Sequence, residues 1–398
     1  MFRLCATIGI LLFACATHAG EREAVLAELG AAGWHATGWT GKGVKVAVLD
    51  SGFRGYRERL GRSLPKVVTV KSFRADGDLE SRPSGHGVRC AEVVHAVAPD
   101  ADIIFADWEP DRPETFIRAV RWAREQGAGV ITCSVVIPGW GDGTGGGPIH
   151  AALAAALGAG DKADHPIMVA AAGNLARRHW AGDFRGTGEA HEWAAGRVDN
   201  RLDPWPGQPL SVDLWSANGS TYRLRLMDDE GREADRVRYS VNAVGGVSAR
   251  LTPEPGKSYG LRVERLRGDR GPFRVTVLGA SPADFTLANS IPFPADNARV
   301  LAIGAVDTTG SRLPFSGCGM AGAKPDFVAR VPFPGRGSDS FGGTSAAAPQ
   351  AAGLAALVRG RHLDWTADRV RSFLARHAAD LGPPGHDAET GFGLPRLP

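Results

Sequence analysis

Short apolar runs that end in polar residues alternate with helical stretches along most of this chain, and that alternation constrains its fold more than any other feature. Val44 to Leu49 is a β-branched run ending in Asp50 and the turn Ser51-Gly52, the pattern of a strand buried on both faces. Ser84-Gly85-His86-Gly87 opens an apolar helical stretch, Ile103 to Ala106 is the next strand-like run, and Glu114 to Gln126 is an amphipathic helix stopped by Gly127. Gly129 to Val136 reads as another buried strand, Ile149 to Leu157 as a further helix, and Met168 to Ala172 as a strand delivering Gly173-Asn174. Strand and helix in turn predict an α/β fold with a doubly wound, mostly parallel sheet. Residues that end successive strands then meet at its carboxyl edge, where open α/β sheets bind ligands. Asp50, Ser134 and Asn174 all fall there.

Gly343-Thr344-Ser345-Ala346-Ala347-Ala348-Pro349 places a serine among small residues at the start of an apolar stretch running to Val358. A serine hydroxyl is a poor nucleophile near neutral pH and needs a base within hydrogen-bond reach, a task that suits an imidazole. His86 is the candidate base and Asp50 the candidate group that fixes its tautomer. A tetrahedral oxyanion needs donors fixed in advance, which Asn174 and the Ser345 backbone N–H would supply. Each residue also has a plainer reading. Ser345 could follow an ordinary helix cap, Asp50 could be a turn acid, His86 a helix-start residue, and Asn174 the occupant of a left-handed turn.

Four blocks in order resemble the subtilisin family of serine peptidases: VAVLDSG around Asp50, SGHG around His86, MVAAAGN ending in Asn174, and GTSAAAP around Ser345. The chain order Asp, His, Ser is that of subtilisin and differs from the chymotrypsin and α/β-hydrolase orders. The resemblance covers most of residues 36 to 393 apart from one long insertion. It implies a subtilisin-like sheet, peptide-bond hydrolysis through an acyl-enzyme on Ser345, and an oxyanion hole at Asn174. It also implies that Ser134, Val135, Val136 and Gly173 line an edge where an extended protein or peptide substrate pairs by β-addition. Two other classes fit the same residues: an inactive subtilase that binds peptides, and an acyl transferase using the same triad.

The chain departs from the family pattern at several points. Gly87-Val88 stands where the family has Gly-Thr, and Ile137-Pro138 follows the edge segment where glycine is usual. Gly139 to Gly147, with Asp142, reads as a surface loop or a rim of the cleft. The helix from His86 runs to Ala98-Pro99 without the calcium-ligating interruption that many subtilases carry, and no EF-hand-like loop is present. No metal or cofactor is expected. Cys90, one helical turn after His86, resembles the free cysteine that proteinase K-like subtilases place beneath the catalytic histidine. It is expected to act as a small buried hydrophobe, with bulky thiol reagents inhibiting by displacing His86.

From about Asp183 to Phe285 the pattern turns to period two, as in Tyr222, Leu224, Leu226 and Phe273, Val275, Val277. Turn signals at Ala217-Asn218-Gly219, Asp229-Glu230-Gly231 and Pro255-Gly256 separate the runs. This predicts an antiparallel β-sandwich inserted into the catalytic fold. The division is therefore 1–19 signal peptide, 20–182 first catalytic part, 183–287 inserted domain and 288–398 second catalytic part, which resumes at Ile291-Pro292-Phe293.

With 398 residues, 43% apolar content and a formal charge of +3, disorder is excluded and nucleic-acid binding has no support. Arg3, the apolar stretch Ile8 to Ala16 and Thr17-His18-Ala19 read as a secretory signal cut after Ala19, too short to span a membrane. A secreted or periplasmic location follows, the alternative being a lipoprotein anchored through Cys15. Between Gly20 and Val44 there is no room for a folded pro-domain. Removal of Cys5 and Cys15 leaves Cys90, Cys133 and Cys318, so at most one disulfide forms. Nothing in the sequence fixes oligomeric state.

Overall fold

The computed structural model describes residues 20–141, 143–216, 220–320, 322–335 and 339–398. The signal segment with Cys15, Asp142 and the Ala217-Asn218-Gly219 turn lie outside the described residues. Strands β1 (Lys45–Leu49), β2 (Thr69–Ser72), β3 (Asp102–Asp107), β4 (Ala128–Cys133) and β5 (Ile167–Ala171) join β15 (Val300–Val306) and β16 (Phe327–Arg330) in one seven-stranded sheet. Its order is β16-β15-β5-β4-β1-β3-β2, and every neighbouring pair is parallel. Helices α1 (His86–Val97), α2 (Pro113–Glu125), α3 (Pro148–Leu157), α4 (Thr344–Arg361) and α5 (Ala367–His377) cover it. The predicted α/β fold with a doubly wound parallel sheet is the one found.

Burial on both faces explains why the inner strands, unlike the exposed edge strand β2, read as continuous apolar runs. In β1, Val46 and Val48 point into the core shared with α1 and α4, whereas Ala47 and Leu49 point into the core shared with α2 and α3. Helix α4 lies inside the protein, with Ala346 to Arg359 buried without a solvent-facing stripe. Alanine allows that close approach, and a helix apolar on all sides belongs in a core.

The antiparallel strands begin with β6 (His179–Asp183), a few residues before the alternation becomes readable, because HWAGD carries little period-two signal. They continue through β7 (Asp199–Pro204), β8 (Leu210–Ser216), β9 (Thr221–Met227), β10 (Arg238–Val241), β11 (Val247–Leu251), β12 (Tyr259–Arg267), β13 (Pro272–Leu278) and β14 (Ala280–Pro282). These build a five-stranded antiparallel sheet, β10-β11-β8-β13-β6, and a four-stranded one, β14-β7-β12-β9. Inward residues of both sheets, among them Val212, Leu224, Leu261 and Phe273, share one core. Among the described residues, no helix is long and apolar enough to cross a membrane.

Candidate active site

The order β4-β1-β3 puts the reversal of strand winding at β1, and the candidate residues gather beyond the carboxyl ends of β1, β4 and β5. Asp50, the residue after β1, is fully buried. Its Oδ1 accepts from the Ser51 backbone N–H at 2.8 Å, and its Oδ2 lies 2.8 Å from His86 Nδ1. His86 opens α1, and Gly87 makes the approach possible. A Cβ there would sit 2.7 Å from Asp50 Cβ and 2.4 Å from a Phe53 ring carbon.

Burial of the His86 imidazole works to lower its pKa, but the adjacent Asp50 carboxylate outweighs that cost and the net direction is upward. Phe341 packs edge-on against the ring at 5.5 Å between centroids. The buried Cys90 thiol lies 3.7 Å from Asp50 Oδ2 and 3.9 Å from His86 Nδ1, and burial pushes its pKa up. Asp50, His86 and Cys90 are the one group of possible metal ligands found together among the described residues. A cation there would displace the Asp50–His86 hydrogen bond and ionise a thiol that burial keeps protonated. Cys90, Cys133 and Cys318 are all free and buried.

Ser345 sits in the first turn of α4. Its Oγ donates to the Ser134 carbonyl at 3.4 Å, and the Ser134 Oγ donates to the Ser345 carbonyl at 3.1 Å. Pro349 explains why that carbonyl is available. Proline four residues on has no N–H to close the helical bond, so the Ser345 oxygen receives Ser134 instead. Ser345 N–H belongs to the first turn of α4, where backbone donors have no intrahelical partner.

Asn174 lies three residues beyond Ala171, the last residue of β5. Its Oδ1 accepts from the Thr344 backbone N–H and from Thr344 Oγ1, both at 3.0 Å. Backbone N–H is a donor only, which fixes the amide orientation and leaves Nδ2 as the outward donor. Gly343 lets the two segments meet, with φ at 71° and room for a Cβ blocked 2.9 Å from Asn174 Nδ2. Thr344 was not read from the sequence as a functional residue; its only signal was its place beside Ser345.

The edge segment also differs from the expected strand. Pairing in β4 ends at Cys133, and Ser134 to Ile137 leave the ladder. Ile137 N–H is taken by the Phe293 carbonyl at 2.9 Å, and Pro138 has no donor to offer. Val135 and Val136 remain half-buried. Gly173, with φ of 87°, faces Pro292 and Val136, where an added Cβ would lie 3.1 and 3.6 Å from their side chains. Val88, in place of the family threonine, is buried.

The profile of the Subtilase family matches residues 41–195 and 252–393, about three quarters of the chain. Alkaline elastase YaB of Bacillus sp. (strain YaB) is 38% identical over 109 residues, 27% of this chain and 28% of that protein. Subtilisin amylosacchariticus of Bacillus subtilis subsp. amylosacchariticus is 33% identical over 189 residues, 42% of this chain and 46% of its own. The matches thus span less than half of these relatives' length. Among solved structures, the Clostridium perfringens CspB protease is similar over 92% of this chain and 95% of its own, with a TM-score of 0.66 and 17% identity. The MycP3 protease of the type VII (ESX-3) secretion system has a TM-score of 0.51 and 21% identity over 94% of this chain and 86% of its own. At such identities the likeness is one of fold.

Proposed function

The chain belongs to the subtilase family, and from that premise we propose that it is a serine endopeptidase that cuts protein or peptide substrates through an acyl-enzyme on Ser345. The observation that carries this reading is the convergence of Asp50, His86, Ser345 and Asn174 at one sheet edge, with Asp50 Oδ2 2.8 Å from His86 Nδ1. In the proposed reaction the Ser345 hydroxyl turns from the Ser134 carbonyl to His86 Nε2, which takes its proton as Oγ attacks the substrate carbonyl. Asp50 accepts the Nδ1–H and stabilises the imidazolium. Asn174 Nδ2 and the Ser345 N–H donate to the oxyanion. His86 then protonates the leaving amine, and water hydrolyses the ester by the reverse route.

Substrate would lie along Ser134, Val135 and Val136 with Gly173 opposite, and the Ile137–Phe293 hydrogen bond supports an edge that ends at Val136. Residues 183–287 are proposed as an accessory unit within the catalytic fold. Export to the periplasm or medium completes the reading, supported by the N-terminal composition. An exported protein beginning at Gly20 is expected, and lipid recovered on Cys15 would replace this with anchoring.

The deciding test treats purified protein with a serine-directed fluorophosphonate beside Ser345→Ala while casein cleavage is followed. Label mapped to Ser345 with cleavage in the unsubstituted protein alone supports the peptidase. Folded protein that neither labels nor cleaves refutes it. Product analysis by mass separates hydrolysis, which leaves free carboxylates, from acyl transfer, which leaves ligated peptides.

A further inference from the structure

Four residues after Asn174, the chain crosses from the parallel sheet into the insertion at Arg178. Its backbone already belongs to the inserted sheet: the Arg178 carbonyl accepts from Val277 N–H of β13 at 2.8 Å, and β6 starts at the next residue. Its side chain turns back. Nε donates to the Asn174 carbonyl at 3.0 Å, and Nη2 donates to the same oxygen. The guanidinium lies over the Trp205 ring, 4.7 Å from its centroid. Trp205 is itself held by the insertion, its N–H donating to the Gly279 carbonyl at 2.8 Å and its Nε1 to Ser281 Oγ at 2.9 Å.

We infer that Arg178 is a positioning residue for the oxyanion donor, with Trp205 as its clamp, so that the inserted β-sandwich braces Asn174. The inference rests on the proposed role of Asn174. Thr344 secures the side-chain oxygen of Asn174, and Arg178 secures its backbone carbonyl. Two anchors on opposite sides of Cα fix where Nδ2 points. An electrostatic donor must be aimed before the reaction, since a displacement on the order of 1 Å costs about 100-fold. Arginine suits this post: its planar fork can place two donors on one oxygen while its face stacks on an aromatic ring, which lysine cannot reproduce.

Trp205 also forms one wall of a groove of about 730 Å³ between the proline-containing segments 203–209 and 252–258 of the insertion. Contact made there bears on the residue that holds Arg178. The brace therefore gives the insertion a physical route to the oxyanion hole, one that runs through three residues in direct contact.

Arg178→Gln, Arg178→Lys, Trp205→Ala and Trp205→Phe test this beside Asn174→Ala. Expected is a fall in kcat of about tenfold for Arg178→Gln, smaller than for losing Asn174 itself, with KM little changed. Trp205→Ala moves the same way, Trp205→Phe restores most of the loss, and Arg178→Lys does not. Placed on Asn174→Ala, Arg178→Gln adds nothing, because it acts through that side chain. An equal further loss in the Asn174→Ala background, or an unchanged kcat with only a lower Tm, overturns the inference. The Asn174 side-chain NH2 resonance, assigned by its disappearance in Asn174→Ala, gives a readout that needs no turnover. It shifts in Arg178→Gln and Trp205→Ala if the brace exists, and stays in place if it does not. An inactive parent with a shifting amide would sink the peptidase reading and keep the brace.

Discussion

His86 experiences opposing influences, and their balance fixes how activity and stability follow pH. Burial disfavours the imidazolium, the Asp50 carboxylate favours it more strongly, and the folded-state pKa lies above the ordinary 6.5. A base must be neutral to accept the Ser345 proton, so kcat/KM is expected to rise with pH through a pKa above 6.5, and a rise centred below it would contradict the geometry. The ion pair's contribution to stability runs the other way: it is fully present below the unfolded pKa and is lost as pH rises through the folded one. Asp50→Asn should remove the upward push and lower kcat on the order of 10⁴-fold, the scale known for this carboxylate in other serine peptidases. Asn174→Ala should lower kcat roughly 100- to 1000-fold, as measured in a subtilisin, with Tm little moved. Asp50, His86, Asn174 and Ser345 were legible because each follows a strand or opens a helix in a local pattern. Thr344, Ser134 Oγ and Arg178 were not legible as partners. The contacts of Thr344 and Ser134 span 170 and 211 residues, and only the tertiary fold brings them together. Arg178 is four residues from Asn174, but nothing in a helix or strand period marks that pairing.

At the scale of elements, α1 carries His86 and α4 carries Ser345, so the distance between these helices sets the distance between base and nucleophile. Gly353 of α4 is where they press together: an added Cβ would lie 2.5 Å from Val97 Cβ and 2.7 Å from its Cγ1. Gly353→Ala is therefore expected to destabilise by about 1–3 kcal/mol through overpacking, and to reduce kcat as the helices part. Val97→Ala should be mildly destabilising alone and should recover much of the loss when combined with Gly353→Ala, a non-additivity that denaturant midpoints would register. If the double variant is no better than the sum of the singles, crowding of Val97 is not the cause of the loss. The helices and strands named from the sequence were readable to within a few residues because apolar period and punctuation agree, whereas the exposed edge strand β2 and the helix α5 were not read. The end of β4 was not, because Ser134 to Val136 is as β-prone as the strand before it. What ends the strand is Phe293, some 150 residues away, capturing the Ile137 N–H.

For the molecule as a whole, the readable fact was a change of period from helical to two near Asp183, and the unreadable one was how the insertion meets the sheet that carries it. His179 stands at that seam and His191 inside the sandwich, and both are deeply buried. His179 opens β6, where burial, with Arg274 nearby, pushes its pKa down to about 3. His191 is enclosed by Trp180, Trp193 and Phe273 at 4.8 to 4.9 Å between centroids, and burial with Arg185 nearby pushes its pKa down to about 4. Both are neutral in the folded protein near pH 5, whereas in the unfolded chain they begin to protonate below 6.5. Between 6.5 and about 4 the unfolded state binds more protons, so stability falls as pH falls. The His191 shift is worth on the order of 3 kcal/mol by about pH 4, and the His179 shift about 5 kcal/mol by about pH 3. His191 Nδ1 accepts from the Arg185 N–H at 3.0 Å, a bond that a glutamine oxygen can replace without the titration. His191→Gln should therefore make the dependence of unfolding free energy on pH near 5 shallower by about 1.4 kcal/mol per pH unit. Denaturant unfolding measured from pH 4.5 to 7 decides it, and parallel curves for the two proteins would show that His191 is already protonated in the fold.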